Sequence, residues 1–226
     1  MPTLSSDLIE TTENCKKASD YFQHYRRGIQ KALSTVNPDQ VDFAFDLLLK
    51  TVSRAGTVFV AGNGGSAAIS DHLGCDWMKG ASTTQFPVKV QSLVSNVALL
   101  TAYSNDHSFE SALSHQLEIL GSANDLVVMI SSSGNSPNII ELAKKAKQMN
   151  ITSIALTGFQ GGELNTLASA PIHVHYNDYG VVEDCHQSLM HTLAHFLMKE
   201  LGANRAFSER ITSTLYARDR LSNLAD

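Results

Sequence analysis

The sequence predicts an α/β fold: a three-layer sandwich with a mostly parallel five-stranded sheet flanked by helices, preceded by an N-terminal helical arm. The first 55 residues carry helical spacing, and beyond them short apolar runs alternate with helix-like segments. Strands separated by helices form parallel sheets that are covered on both faces. The chain has 226 residues and no repeats or linkers, so we expect a single domain over 1–226. Its parts are the arm at 1–55, the core at 56–202 and a C-terminal helix at 203–226.

The arm is expected to contain two helices. The second opens with Asn37 as N-cap, Pro38 at the first helical position and Asp39 in the first turn, and it stops before Gly56. The first is marked by small and apolar residues at roughly helical spacing: Leu8, Cys15, Ala18, Phe22, Tyr25, Ile29 and Leu33. Such an arm is expected to pack against the core or against another subunit.

Five apolar runs predict the strands of the sheet. They are TVFVAG (57–62), VKVQSLV (88–94), DLVVMIS (125–131), TSIALTG (152–158) and IHVHY (172–176). A strong helix follows from Val181 to about Leu201 and ends at Gly202, and a charged amphipathic helix closes the chain.

Composition excludes several classes of function. The net charge is −5 with 17 Lys and Arg residues, so there is no basic field to attract nucleic acid or anionic lipid. No apolar run approaches the length of a membrane span, and the polar start MPTLSSDLIETTEN does not resemble a signal peptide. The three cysteines, Cys15, Cys75 and Cys185, form no CxxC pair. These features predict a cytoplasmic protein in a reducing compartment, with neither nucleic acid nor membrane as a partner.

A glycine-rich turn follows the first predicted strand. The segment GNGGSA, which begins at Gly62, formally matches the dinucleotide fingerprint G-x-G-x-x-G/A. That fingerprint also needs an acidic residue about twenty positions on for the ribose hydroxyls, yet no Asp or Glu occurs from Trp77 to Asn105. A Gly-Lys-Ser/Thr phosphate loop is absent as well. NAD and ATP are therefore both disfavoured.

A second turn, ISSSGNSPN, follows the most apolar strand. Pro137 fits the first position of the next helix, so the hydroxyls and backbone N–H groups of this turn gather at a helix N-terminus. The helix dipole and the unpaired donors there favour a dianionic phosphate. One serine would be enough to cap the helix, whereas four surround Gly134: Ser131, Ser132, Ser133 and Ser136. Phosphate binding is the better interpretation.

Two helices carry a constellation of metal-binding residue types. His72 and Asp76 stand four residues apart and share a helix face, and Cys75 lies close by. The last predicted helix places Glu183, Gln187, His191 and His195 at successive intervals of four. Imidazoles and carboxylates from two helices suit a tetrahedral divalent metal. A functional role is predicted for His72, Glu183 and His191, whereas Cys75, His186 and His195 are interpreted as structural residues, Cys75 as a small buried one.

The two turns together carry a resemblance to a known family. GNGGS followed six residues later by His72, then SND and then ISSSGNS is similar to the sugar isomerase (SIS) domain, and most of all to its phosphoheptose isomerase branch. The likeness spans about residues 56–201. It implies the SIS fold and an aldose–ketose isomerase that converts sedoheptulose 7-phosphate to D-glycero-D-manno-heptose 7-phosphate through an enediol. It also implies a homotetramer, no organic cofactor and a place in heptose supply.

The resemblance implies a zinc site and a set of substrate contacts. The zinc ligands fall on His72, Asp76, Glu183 and His191, with Asp76 where the family has Glu and Glu183 where it has Gln. Gly80 replaces a family arginine. Asp76 or Glu183 is expected to be the base, with His191 or the metal acting at the substrate oxygens. The implied substrate-binding residues are Asn63, Gly64, Gly65, Ser66, Asn105, Asp106, Ser131, Ser132, Ser133 and Ser136.

Two other functions remain open from the sequence. The chain is alternatively a catalytically altered SIS protein that serves as a sugar-phosphate-binding or protein-interaction module, which the two altered ligands favour and the two retained histidines disfavour. It is alternatively an isomerase for another phosphosugar, because serines that grip a phosphate do not measure the length of the sugar.

Overall fold

The computed structural model describes residues 15–82 and 86–202. The predicted C-terminal helix at 203–226, and the part of the first arm helix around Leu8, lie outside these described residues. The division of the chain into arm, core and C-terminal helix remains a prediction.

Both arm helices are present over the described residues. They are α1 (Ala18–Leu33) and α2 (Pro38–Ser53). The Asn37 side chain accepts a hydrogen bond from the backbone N–H of Asp39 at 2.9 Å, and Pro38 occupies the first helical position. The cap predicted from the NPD sequence is therefore confirmed, because an asparagine oxygen satisfies one of the unpaired N–H groups at a helix start.

Five strands form one parallel sheet in the order β2-β1-β3-β4-β5. Their bounds are β1 Thr57–Gly62, β2 Lys89–Ser92, β3 Leu126–Ser131, β4 Thr152–Thr157 and β5 Ala170–His173. The predicted five-stranded sheet is confirmed. The last strand begins two residues before the predicted run and ends at His173, because its ladder with β4 pairs Ala170 with Ile154 and closes where Thr157 meets His173.

Helices connect the strands. They are α3 (Gly65–Cys75), a π-helix at Asp76–Ala81, α4 (Val97–Asp106), α5 (Ala112–Leu120), α6 (Pro137–Gln148), α7 (Leu164–Leu167) and α8 (Tyr179–Gly202). None of the helices in the described parts of the chain is long and apolar enough to cross a membrane.

The sheet separates two apolar cores, which makes the three layers. Val58 and Val60 of β1 face the first core, with α1, α2, α3, the π-helix and α8, whereas Phe59 and Ala61 face the second core, with α5, α6 and α7. This alternation is what a strand buried on both faces requires. Each large aliphatic side chain buried in this way contributes about 1.5–3 kcal/mol to the stability of the fold.

The strand order creates a crevice between β1 and β3. The chain leaves β1 for β2 on one side and returns to β3 on the other side. The helix after β1, α3, packs on the first face, and the helix after β3, α6, packs on the second face. Connections that diverge in this way leave an opening at the carboxyl ends of the two strands, which is where open α/β sheets bind ligands.

Candidate active site

The glycine turn after β1 and the serine turn after β3 are joined across this crevice. Asn63 Nδ2 donates to Asn138 Oδ1 at 2.8 Å, and Asn138 Nδ2 donates to Asn63 Oδ1 at 2.8 Å. Asn138 lies in the first turn of α6 and is 2% exposed. Sequence reasoning did not single out Asn138, because an asparagine in a helix start has no distinguishing local pattern. The pair holds the two turns at one fixed spacing.

The four serines of the second turn line a small cavity of about 130 Å³. Ser131 Oγ and Ser136 Oγ lie 3.2 Å apart, and Ser133 Oγ accepts a hydrogen bond from the Asn135 N–H at 3.2 Å. Ser136 is the N-cap residue of α6, yet its side chain makes no capping hydrogen bond. The cavity lining consists of Asn63, Ser66, Ile130, Ser131, Ser132, Ser133, Ser136, Tyr179 and Glu183. Simple capping therefore does not explain the serines.

Ser132 has an unsatisfied hydroxyl at this cavity. The residue is 5% exposed, and its Oγ has no hydrogen-bond partner among the described residues. A buried hydroxyl without a partner costs free energy, so such groups in folded proteins mark a position for a ligand or an ion. The N-terminus of α6 adds the positive end of a helix dipole. Together these groups form a candidate anion-binding site, which is called the anion pocket below.

A second loop, residues 161–164, packs against the serine turn. Gly134 has a φ of +65°, a conformation that favours glycine, and a side chain there would overlap the backbone of Gly161. The Leu164 N–H donates to the Gly134 carbonyl at 3.0 Å, and the Glu163 N–H donates to Asn135 Oδ1 at 2.9 Å. The serine hydroxyls are therefore held on a turn that is fixed at several points.

Glu183 of α8 brings a carboxylate to the wall of the same pocket. The carboxylate lies beside Gly65 at the start of α3, in the space that a side chain at position 65 would occupy. Burial raises the pKa of Glu183 above the ordinary glutamate value, and the charge of Asp184 adds to this effect. A carboxylate with a raised pKa is suited to accept a proton near neutral pH.

A second polar group lies where α3 and the π-helix meet α8. His72 Nε2 lies 3.6 Å from Asp76 Oδ1, and His191 Nε2 lies 3.4 Å from Asp76 Oδ2. One ligand atom from each of the three residues lies within 4.8 Å of the others. Two imidazoles and one carboxylate are the nitrogen and oxygen donors that zinc and related divalent ions take. His72, Asp76 and His191 are therefore a candidate metal centre.

Glu183 is not part of this metal group, although the resemblance implied that it is a ligand. Its carboxylate faces the anion pocket and Gly65. The residue that does reach the metal group is Gln187, one turn further along α8. Its Nε2 lies 3.0 Å from His72 Nδ1 and 3.2 Å from His191 Nε2. The sequence showed Gln187 in the stripe of α8, but its contact with His72 crosses 115 residues.

The π-helix changes the surroundings of Asp76. The sequence predicted an ordinary helix that reaches Asp76. In the structure the segment Asp76–Ala81 is a π-helix, in which each backbone hydrogen bond spans one residue more than in an α-helix, and Trp77 and Ala81 are buried. The space next to Gly80 is filled by the Met198 side chain, which a side chain at position 80 would meet. An apolar methionine therefore lies where the family places an arginine.

Three other sequence predictions have distinct outcomes. Asn105 and Asp106 end α4, are exposed and bond to each other at 2.9 Å, but they do not line the anion pocket. His186 is fully buried, which agrees with a structural role. The expectation of a buried Cys75 is wrong. Cys75 is exposed and lines a cavity of about 470 Å³ against the edge strand β2, because the short β2 leaves this side of α3 uncovered.

Comparison with known proteins identifies the family to which this fold belongs. Residues 20–158, more than half of the chain, match the family model of the SIS domain. The chain is 32% identical over 176 residues to a phosphoheptose isomerase of Campylobacter jejuni, covering 78% of this chain and 94% of that one. It is 31% identical over 207 residues to a phosphoheptose isomerase of Nitratidesulfovibrio vulgaris, covering 89% and 93%.

A solved structure gives the same result in three dimensions. The phosphoheptose isomerase of Neisseria gonorrhoeae superposes with a TM-score of 0.72 at 30% identity, over 79% of this chain and 95% of that one. The chain belongs to the SIS-domain family, a class of α/β proteins. Within that class it is a member of the phosphoheptose isomerase branch, and the resemblance drawn from the two turns is confirmed.

Proposed function

We propose that this protein is an aldose–ketose isomerase that converts sedoheptulose 7-phosphate to D-glycero-D-manno-heptose 7-phosphate. The observation that carries the proposal is the anion pocket, which combines the unpaired Ser132 hydroxyl with the Glu183 carboxylate. A candidate metal centre lies further along α3 and α8, the helices that flank this pocket. The identity of the sugar is inferred from the names of the relatives. The phosphate, remote from the reacting carbons, supplies binding energy that holds C1 and C2 in register.

The phosphate is proposed to bind to the four serines and to the N-terminus of α6. The hydroxyl of Ser132 gains its missing partner when an anion is present, and the hydroxyls of Ser131 and Ser136, 3.2 Å apart, turn toward the same anion. Asn63 and Ser66 line the pocket on the β1 side, and Gly64 and Gly65 of the same turn are proposed, from the resemblance, to contact the substrate. Asn105 and Asp106 are proposed, from the resemblance alone, to contact sugar hydroxyls.

Zinc is the proposed metal, held by His72, Asp76 and His191. The donor set fits it, because zinc accepts imidazole nitrogen and carboxylate oxygen at one centre. When bound, the ion polarises a carbonyl or hydroxyl oxygen and so stabilises the negative charge of an enediol. No organic cofactor is required, because the reaction moves a proton without net oxidation.

Glu183 is the proposed base. Asp76 lies between two imidazoles at the candidate metal centre, so Glu183 is the carboxylate that faces the anion pocket. It takes the proton from C1 of the ketose, which leaves an enediolate with its negative charge on O2. The O1 proton then passes to O2, and the proton held by Glu183 goes to C2, which yields the aldose.

The test is turnover of sedoheptulose 7-phosphate in D₂O on protein of measured metal content, followed by proton NMR. We expect the aldoheptose phosphate to appear with deuterium at C2. If metal-replete protein exchanges no proton, the isomerase assignment fails. Binding of the sugar phosphate without turnover would then favour a sugar-phosphate-binding module, and turnover of a different phosphosugar would correct the substrate.

We also propose that the protein is a cytoplasmic homotetramer, as the resemblance implies. Support comes from large apolar side chains that are exposed on the helical layer, among them Phe22 at 60% and Phe43 at 51%. Exposed aromatic residues on neighbouring helices mark a surface that another subunit covers. Light scattering coupled to size exclusion measures the assembly, and a monomer at micromolar concentration would reject the proposal.

A further inference from the structure

The amide of Gln187 lies between the two histidines of the candidate metal centre. Its terminal nitrogen is 3.0 Å from His72 Nδ1 and 3.2 Å from His191 Nε2. The amide is partly buried and projects from the same face of α8 as His191, four residues further on. The end of the Gln187 amide therefore contacts imidazoles from two different helices, α3 and α8, and lies within the metal group.

These distances match the spacing of ligands around one ion. A tetrahedral zinc ion with ligand distances of about 2.0–2.2 Å keeps neighbouring donor atoms about 3.3–3.6 Å apart. The path from His72 Nδ1 to the Gln187 amide, His191 Nε2 and Asp76 Oδ2 has steps of 3.0, 3.2 and 3.4 Å. Each of these three separations is within about 0.3 Å of the spacing between neighbouring ligands of one ion.

The amide can present either of its ends to this centre. In this structure the nitrogen end of the amide lies within hydrogen-bonding distance of both imidazole rings. A rotation of the amide plane by 180° exchanges nitrogen and oxygen without changing the shape of the side chain. The carbonyl oxygen then occupies the same point and faces a cation with a lone pair.

The neighbouring carboxylate does not compete for this position. Glu183 lies one helical turn before Gln187, and its carboxylate is directed to Gly65 and the anion pocket. A fourth ligand from Glu183 would require that carboxylate to leave the pocket wall. The Gln187 amide needs only the rotation of its own plane.

We propose that the carbonyl oxygen of Gln187 is the fourth protein ligand of the metal, which leaves Glu183 free to act on the substrate. The inference rests on the metal centre of the proposed function. It departs from the family arrangement, in which the glutamine ligand stands at the position of Glu183.

The test compares metal binding by three variants of the full-length protein. Gln187→Leu removes the amide at similar size, Gln187→Glu keeps an oxygen donor but has no N–H group, and Glu183→Ala removes the neighbouring carboxylate. Zn²⁺ affinity is measured by competition with a chromophoric chelator, and the visible spectrum of the Co²⁺ form reports the ligand set. Thermal unfolding of the metal-free proteins verifies that each variant folds.

We expect Gln187→Leu to weaken Zn²⁺ binding at least roughly tenfold. Gln187→Glu should retain binding and shift the Co²⁺ bands, and Glu183→Ala should bind within about threefold of the wild type. Wild-type affinity in Gln187→Leu, or loss of binding in Glu183→Ala alone, overturns the inference. So do unshifted Co²⁺ bands in Gln187→Glu, because Gln187 then acts only through His72. If the wild type itself binds no metal, the metal centre of the proposed function fails too.

Discussion

Asn63 and Asn138 exchange two hydrogen bonds of 2.8 Å and thereby join the two turns that form the anion pocket. The two residues are 75 positions apart in the chain. One follows β1 and the other opens α6, so the pair spans the crevice between strands whose connections diverge. The amide pair therefore helps to fix the spacing of the pocket walls, in addition to the pairing of β1 with β3.

Replacing Asn138 by Ala should destabilise the protein by about 1–3 kcal/mol, because it leaves the buried part of the Asn63 amide without its partner. The same variant should weaken the binding of inorganic phosphate, because the turn after β1 is no longer held against the serine turn. Urea unfolding measures the first effect, and calorimetric titration with phosphate measures the second.

The double variant Asn63→Ala/Asn138→Ala is the matched control. It should cost less than the sum of the two single variants, because the second substitution removes a group that the first had already left unpaired. Strict additivity of the unfolding free energies would show that the pair does not contribute as a unit.

Ser132→Ala should separate binding from stability. The Ser132 hydroxyl has no partner among the described residues, so its removal should leave the free energy of unfolding unchanged or higher. It should raise the KM for the sugar phosphate by about tenfold, since one hydrogen bond to a charged phosphate is worth roughly 1.5 kcal/mol. The control is Ser114→Ala in α5, where the hydroxyl donates to the Ser111 carbonyl at 2.9 Å. There we expect lower stability and an unchanged KM, and the reverse pattern would reject the role of Ser132.

Glu183→Gln should lower the turnover rate by about 10²–10⁴-fold while phosphate still binds. The pKa of Glu183 is raised mainly by burial, so the acid limb of the pH profile of kcat/KM should lie above pH 4.5. The ionised form is disfavoured in the folded protein, so the wild type should gain stability as the pH falls through the raised pKa. The variant should lack this dependence and be at least as stable as the wild type at pH 7. If Glu183→Gln is active and Asp76→Asn is not, Asp76 is the base instead.

His186 should make the fold sensitive to acid. Burial lowers the pKa of His186 from 6.5 to about 4, with a smaller opposing effect from the backbone of Thr157. No hydrogen bond of ordinary geometry reaches either ring nitrogen within the described residues. The unfolded chain binds the extra proton, so stability should fall as the pH drops from 6.5 toward 4, by up to about 3 kcal/mol.

His186→Leu should flatten the dependence of unfolding free energy on pH in this window. The exposed His195 on the same helix provides the comparison, and His195→Gln should leave the slope as in the wild type. An unchanged slope in His186→Leu would show that the acid sensitivity arises elsewhere in the protein.

The sequence by itself predicted the strands and the two turns that line the anion pocket. The strand at Thr57–Gly62, the cap at Asn37 and the serine turn before α6 all lie where local patterns predict them. These features depend on neighbours within a few residues, such as apolar alternation, a capping side chain or a proline at a helix start. The sequence also placed His72, Asp76 and His191 on two helices with metal-binding chemistry.

The tertiary structure alone decided which of these side chains meet. It brought Gln187 rather than Glu183 to the histidines, joined Asn63 to Asn138, widened the helix at Asp76 and left Cys75 exposed. Each of these facts depends on how α3 and α8 pack on the sheet, and hence on contacts between residues far apart in the chain. Helical spacing gives the face on which a side chain lies, but only the packing of that face against its neighbour fixes what it touches.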